Sequence, residues 1–101
     1  MDKLYLVKHS RFSIIYKQPK DDIGKNVDNL RIFKKREKAV KFIDDWYNTW
    51  ADAGTFHNCI EIESKNRYSD ASASVSYMAH GPYESINIIE QYILEEVDYD
   101  E

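Results

Sequence analysis

Cysteine is almost absent from this chain: Cys59 stands alone and cannot form an internal disulfide. A disulfide-stapled secreted scaffold is therefore excluded, and cytoplasmic residence is expected. Glycine and proline are scarce too, at three and two residues, and no glycine-rich phosphate loop is present. There is no Cys-x-x-Cys and no His-Glu-x-x-His, so a metal or cofactor site is not expected. Long hydrophobic runs are missing as well. The best candidate, residues 86–94, is short and broken by polar side chains, which argues against a membrane span. The opening Met1-Asp2-Lys3-Leu4 lacks the cationic start and apolar stretch of a signal peptide. Cations are nearly lost from the second part of the chain. Twelve of the fourteen Lys and Arg precede position 42, whereas thirteen of the eighteen acids follow it. Such asymmetry predicts a basic patch, an acidic patch or both, unless folding mixes the two halves.

What is present is enough for one core. A hydrophobic content of 43%, with fourteen aromatics, suits a single domain over 1–101, ending in an acidic, frayed tail at 98–101. Residues 3–8 alternate as a strand, with Leu4 and Leu6 on one face and Tyr5 and Val7 on the other. Residues 11–17 form a second candidate, joined through His9-Ser10 as a tight hairpin or continued as one bent strand. Residues 18–29 read as a polar loop and 30–33 as a short third strand. Ala39, Val40, Phe42, Ile43, Trp46, Tyr47 and Trp50 fall within roughly 160° of a helical wheel, with Gly54 as terminator. The two tryptophans read as core anchors.

Beyond Gly54, residues 59–63 alternate, 64–70 look like a polar hairpin loop, and 71–79 alternate again, with Ser72, Ser74 and Ser76 on a hydroxyl-lined face. Gly81-Pro82 breaks the sheet and places proline at a favoured first helical position. Ile86, Ile89, Ile93 and Val97 then make a helical stripe, which Ile88, Tyr92 and Leu94 widen. A helix apolar on more than one side must be deeply buried or shared with another chain, so a homodimer is one expectation. The predicted fold is α+β, in the order ββ(β)αββα, with an antiparallel sheet of four to five strands and two helices on one face.

Few residues suggest chemistry. His57 and Cys59 stand two apart and would point the same way on a strand, as half a metal site or a nucleophile pair, but no further ligands or orienting group follow. A structural cysteine near a surface histidine is the simpler reading. Glu61 and Glu63 share a strand face, and paired carboxylates can do acid–base work only where a cleft desolvates one of them. No catalytic residue is assigned, and the chain is not expected to be an enzyme.

Two charged clusters carry binding hypotheses. Lys34, Lys35, Arg36, Lys38 and Lys41 could contact phosphates, with nearby aromatics available to stack on bases. On the acidic side stand Glu84, Glu90, Glu95, Glu96, Asp98 and Asp100, with Tyr92 and Tyr99 as anchors. Such a surface can imitate a phosphate backbone towards a protein that grips one. In overall character the chain resembles the small acidic inhibitors of phages and plasmids, of the anti-CRISPR and anti-defence kind. It shares their richness in Lys, Ile, Asn, Asp and Tyr, their few glycines and prolines, and an acidic patch, without any shared motif. The resemblance implies a protein partner, a nucleic-acid-handling host effector, met in the host cytoplasm. Direct nucleic-acid binding through residues 34–41 and a homo-oligomeric regulatory or structural role are the alternatives.

Overall fold

The computed structural model describes the backbone of residues 2–15 and 24–99 and the side chains of residues 3–13 and 30–98. Its elements are β1 (Asp2–Ile15), β2 (Gly24–Phe33), α1 (Arg36–Thr49), β3 (Phe56–His57), β4 (Ile60–Ser69), β5 (Ser72–His80) and β6 (Ser85–Tyr99). The strands form one six-stranded sheet in the order β2-β1-β6-β5-β4-β3, with every neighbouring pair antiparallel. A single helix lies on it. The expected sheet of four to five strands with two helices, ordered ββ(β)αββα, is thus corrected to six strands and one helix.

The main correction concerns the C-terminal segment, which is a strand and not a helix. Four of its apolar residues are isoleucines (Ile86, Ile88, Ile89 and Ile93), and Val97 is also β-branched, so side-chain stiffness favours extended backbone. β6 is central in the sheet, pairing with β1 along residues 2–15 and with β5 along residues 72–80. Its even-numbered residues Ile88, Tyr92 and Leu94 are buried beneath the helix. Its odd-numbered residues Ile89, Ile93 and Val97 project to the other side, as a period of two requires. Gly81-Pro82 accordingly lies in the β5–β6 turn and starts no helix.

Three smaller differences follow from the same sheet. Of the two expectations for His9-Ser10 the hairpin fails and the continuous strand holds: β1 runs through them, with a bulge where it pairs with β2. The third strand expected at 30–33 is the end of β2, which begins at Gly24, so part of the expected 18–29 loop is strand; residues 18–23 of that loop, and 16–17 of the strand expected at 11–17, lie outside the described residues. The polar run 64–70 belongs almost wholly to β4, whose pairing with β5 shifts register between Ile62 and Ser64 and between Arg67 and Ser69. Its cations meet the helix instead of water. Lys65 Nζ sits 4.4 Å from the Tyr47 ring centroid and donates to the Trp50 carbonyl, while Arg67 donates to Asp44 at 2.8 Å.

α1 forms where the apolar arc predicted it. Ala39 and Ile43 are fully buried against Val7, Ala73, Tyr92 and Leu94. Ala39 and Ala73, both at 0% exposure, let the helix come close to the sheet. Trp46 and Tyr47 bridge this cluster to a second one made by Ile62, Val75, Tyr77 and Ile88. The helix ends at Thr49, short of Gly54, whose φ of 90° turns the following loop so that its N–H reaches the Ile62 carbonyl. No helix of the described residues is long and apolar enough to cross a membrane.

Candidate functional site

The fold redistributes the predicted acidic surface. Glu95 pairs with Lys8, and Glu96 with both Lys3 (3.6 Å) and Arg36 (3.3 Å). These cations come from the basic first part of the chain, which the β1–β6 pairing brings alongside the acidic end. Glu90 is largely withdrawn from the surface. Its side chain is 14% exposed and lies under the helix, where it meets His9 and Tyr77. Tyr92 is likewise buried, at 8%, stacked on His9 with ring centroids 4.6 Å apart. Glu84 and Asp98 remain exposed. Asp100 and the side chain of Tyr99 lie outside the described residues. The six described positions of this set therefore do not form one patch.

The basic cluster is divided too. Arg36 bridges Asp70 (2.9 Å) and Glu96, and this pairing holds the exposed Asp70 carboxyl below its ordinary value. Lys41 pairs with Asp45 one turn on, at 2.8 Å. Lys34, Lys35 and Lys38 are exposed and make no ion pair among the described residues. They leave three exposed cations around the start of α1.

A different surface assembles at the end of the sheet where the β3–β4 and β5–β6 turns meet. Tyr83 is 92% exposed and Phe56 60%, values unusual for aromatics in so small a domain. Ile60, also exposed, lies on the other face of β4, beside Trp50, His57 and Ile62. His80 joins the two turns. Its ring is 5.9 Å from Phe56, Nδ1 lies 3.0 Å from the Ser85 hydroxyl, and Nε2 lies 3.7 Å from Glu61. A cavity of about 320 Å³ opens beside it, lined by His80, Pro82, Tyr83, Glu84 and Ile86 among others. Glu61 and Glu84 border this aromatic end, and among the described residues neither pairs with a Lys or Arg. Sequence reasoning singled out Glu84 but missed Phe56 and Tyr83. The only signal was their setting beside turn residues, since exposure itself has no sequence mark.

The remaining candidates disperse. His57 closes β3, and Asn58, at φ 55°, turns the chain so that Cys59 is exposed and its carbonyl accepts from the His80 N–H. The two side chains thus flank a turn and do not share a strand face. Glu63 accepts from Asn87 at 2.6 Å, while Glu61 faces His80, so the two carboxylates are engaged separately. Among the described residues no group of three or more His, Cys, Asp or Glu could hold a metal ion.

Beneath α1 lies a polar cluster within the apolar layer. Glu90 accepts from the Tyr77 hydroxyl at 2.8 Å through one oxygen and contacts His9 Nε2 at 3.0 Å through the other. Trp46 and Trp50 pack over it, with Trp50 stacked on Tyr77 at 4.9 Å. Burial first, then the bond to Glu90, pushes the Tyr77 phenol well above its ordinary value near 10. The native state therefore holds this proton more tightly than the unfolded chain. The resulting stability is complete below pH 10 and is lost as pH rises towards the raised value. Tyr77→Phe is expected to flatten the fall in melting temperature between about pH 10 and 12. An unchanged alkaline slope would remove Tyr77 from that role.

Searches against protein-family models, curated proteins and solved structures find no match to this chain.

Proposed function

We propose that this chain is a non-enzymatic protein-binding module, an inhibitor of the mobile-element kind acting in the cytoplasm. It docks on a positively charged protein surface of the sort that grips nucleic acid. The observation that carries this reading is the acidic aromatic end: Tyr83 and Phe56 exposed at the two turns that His80 joins, with Glu61 and Glu84 beside them. Exposed aromatics supply contact area with little side-chain entropy to lose, and they dominate interface energetics once water is excluded. Carboxylates at the border steer a basic partner and reject an acidic one. This reading moves the docking surface away from β6, whose carboxylates Glu95 and Glu96 are already paired within the chain.

Affinity capture from a bacterial lysate with the tagged chain, followed by mass spectrometry, should return a basic protein. With that protein purified, Tyr83→Ala with Glu84→Lys should weaken binding by about a hundredfold, since an anchor and a charge match each carry on the order of 1–3 kcal/mol. Association should slow as salt rises. Unchanged affinity in the double variant would end this reading. Binding of an oligonucleotide alone, with a salt slope that shrinks when Lys34 and Lys38 are replaced, would favour the nucleic-acid alternative that those exposed lysines support.

A further inference from the structure

Along the free edge of β2, we infer a docking site for an extended segment of another protein, one that alternates apolar and acidic side chains. The segment adds to the six-stranded sheet as a further strand. β2 ends the strand order, and its outer side has no partner among the described residues. Residues 29–33 run in unbroken register with His9 to Tyr5, and the one irregularity falls before them, between the pairs His9–Asn29 and Ser10–Val27. A regular edge strand offers unpaired N–H and C=O groups to an extended chain. The opposite edge of the sheet is blunted. β3 pairs with the start of β4 at Ile60 and Glu61, and the Gly54–Thr55 backbone engages Ile62. Beyond Ile62 the pairing of β4 shifts register twice, and bulges of this kind turn an edge away from a new strand. Residues 29–33 have none.

The two sides of β2 decide the chemistry of the occupant. Leu30 and Ile32, opposite Lys8 and Leu6, are 55% and 60% exposed. Arg31, between them, lies on the helix side opposite buried Val7, with its guanidinium 4.9 Å from the Phe42 ring centroid. Lys34 and Lys35 follow β2 directly, and Lys38 stands one turn before Phe42 on the same flank of α1. All four cations are exposed and make no ion pair among the described residues. Against them stand Glu37 in the first helical turn and Asp45, which Lys41 engages. A strand laid beside β2 sets alternate side chains on its two faces. Its apolar residues then meet Leu30 and Ile32, and its carboxylates meet Arg31, Lys34 and Lys38. A nucleic acid fits less well. Phe42 is the aromatic beside these cations, and its ring already packs against Arg31, against Phe33 at 5.7 Å and against Tyr92 at 5.7 Å. No free ring face is left there for a base to stack on.

The probe is an acetylated, fluorescently labelled octapeptide that alternates valine and glutamate, titrated with the full chain and followed by anisotropy. It should bind saturably below about 1 mM, and its valine–lysine counterpart about tenfold more weakly or worse. Lys34→Glu with Lys38→Glu, both at exposed positions, should weaken binding of the valine–glutamate peptide by about tenfold. Of two versions of that peptide, N-methylated at one or the other set of alternate residues, one should lose binding and the other keep it. Only every second N–H of an added strand faces the edge it joins. Amide chemical shifts of the unmodified chain should move along residues 29–33, a readout that depends on no variant. Absence of binding, methylated versions that keep or lose it together, or shifts that leave β2 unmoved would overturn the inference. A short oligothymidylate that binds more tightly than the peptide would overturn it in favour of nucleic acid. This edge lies across the sheet from β3 and β4, so it and the acidic aromatic end can each fail alone.

Discussion

Glu90→Ala is expected to lower folding stability by about 3 kcal/mol, far more than the loss of any exposed carboxylate in this chain. The carboxylate sits between two groups under the helix, the Tyr77 hydroxyl and His9 Nε2. An ionised carboxylate only accepts, so the imidazole carries its proton on Nε2 and both neighbours donate. Truncation takes the acceptor from both at once. A buried donor stripped of its partner costs about 1–3 kcal/mol, because water cannot replace the lost bond. Trp46 and Tyr92 close over His9, and Trp50 over Tyr77, so the vacated space is walled by aromatic rings. Chemical denaturation of Glu90→Ala, Tyr77→Phe and the double variant checks this. The double variant should be less destabilised than the sum of the singles by about 1 kcal/mol, since one bond is counted in both. A single-variant loss below about 0.5 kcal/mol would show that the cluster contributes nothing to holding the layers together. By contrast Glu84→Ala, at an exposed turn, should stay within about 0.5 kcal/mol.

Glu90 also shows what the sequence does and does not disclose. Its type and neighbours suggested one more acid on a solvated surface. Its fate was decided by the period of the segment around it. Ile89, Ile93 and Val97 are four apart, a spacing that is one turn of a helix and equally two full repeats of a strand. Only the remaining residues separate the two. Ile88, Tyr92 and Leu94 widen a helical stripe without pattern, but as a strand they form the second face of a central element that is apolar on both sides. The breadth of that stripe was legible; its cause was not. The second part of β4, beyond the alternation at 59–63, was missed for the opposite reason. Its residues 64–69 are polar because Lys65 and Arg67 cover the flank of the helix with their stems while their charges reach Trp50 and Asp44. No apolar alternation was there to read. The helix was legible because its apolar residues recur on one side over more than three turns and its ends carry no competing pattern. Pairing of Lys3 and Lys8 with Glu96 and Glu95 followed from the long β1–β6 ladder. Charge asymmetry along a chain therefore predicted neither patch, since the antiparallel partner of a basic strand was the acidic one.

The two faces of the sheet should answer to substitution in opposite ways, and Ile43→Ala against Ile32→Asp makes the comparison. Ile43 is fully buried and is the largest such side chain in the helix layer, touching the sheet where Ala39 and Ala73 bring the backbones close. Because α1 is the only helix among the described residues, its covered face has no second described element to fill a void left by truncation. Ile43→Ala should therefore cost about 3–4 kcal/mol, near the upper half of the usual range for aliphatic truncation. For a chain of this size that is a fall of about 15 °C in melting temperature. Ile32, 60% exposed on the far side, loses little by meeting water through a carboxylate. Ile32→Asp should change stability by no more than about 0.5 kcal/mol. Equal losses from the two substitutions would mean that both faces are core, and Ile32 would then have no surface to offer. A large loss from Ile43→Ala alone separates the residues that make this sheet fold from those left to meet another molecule.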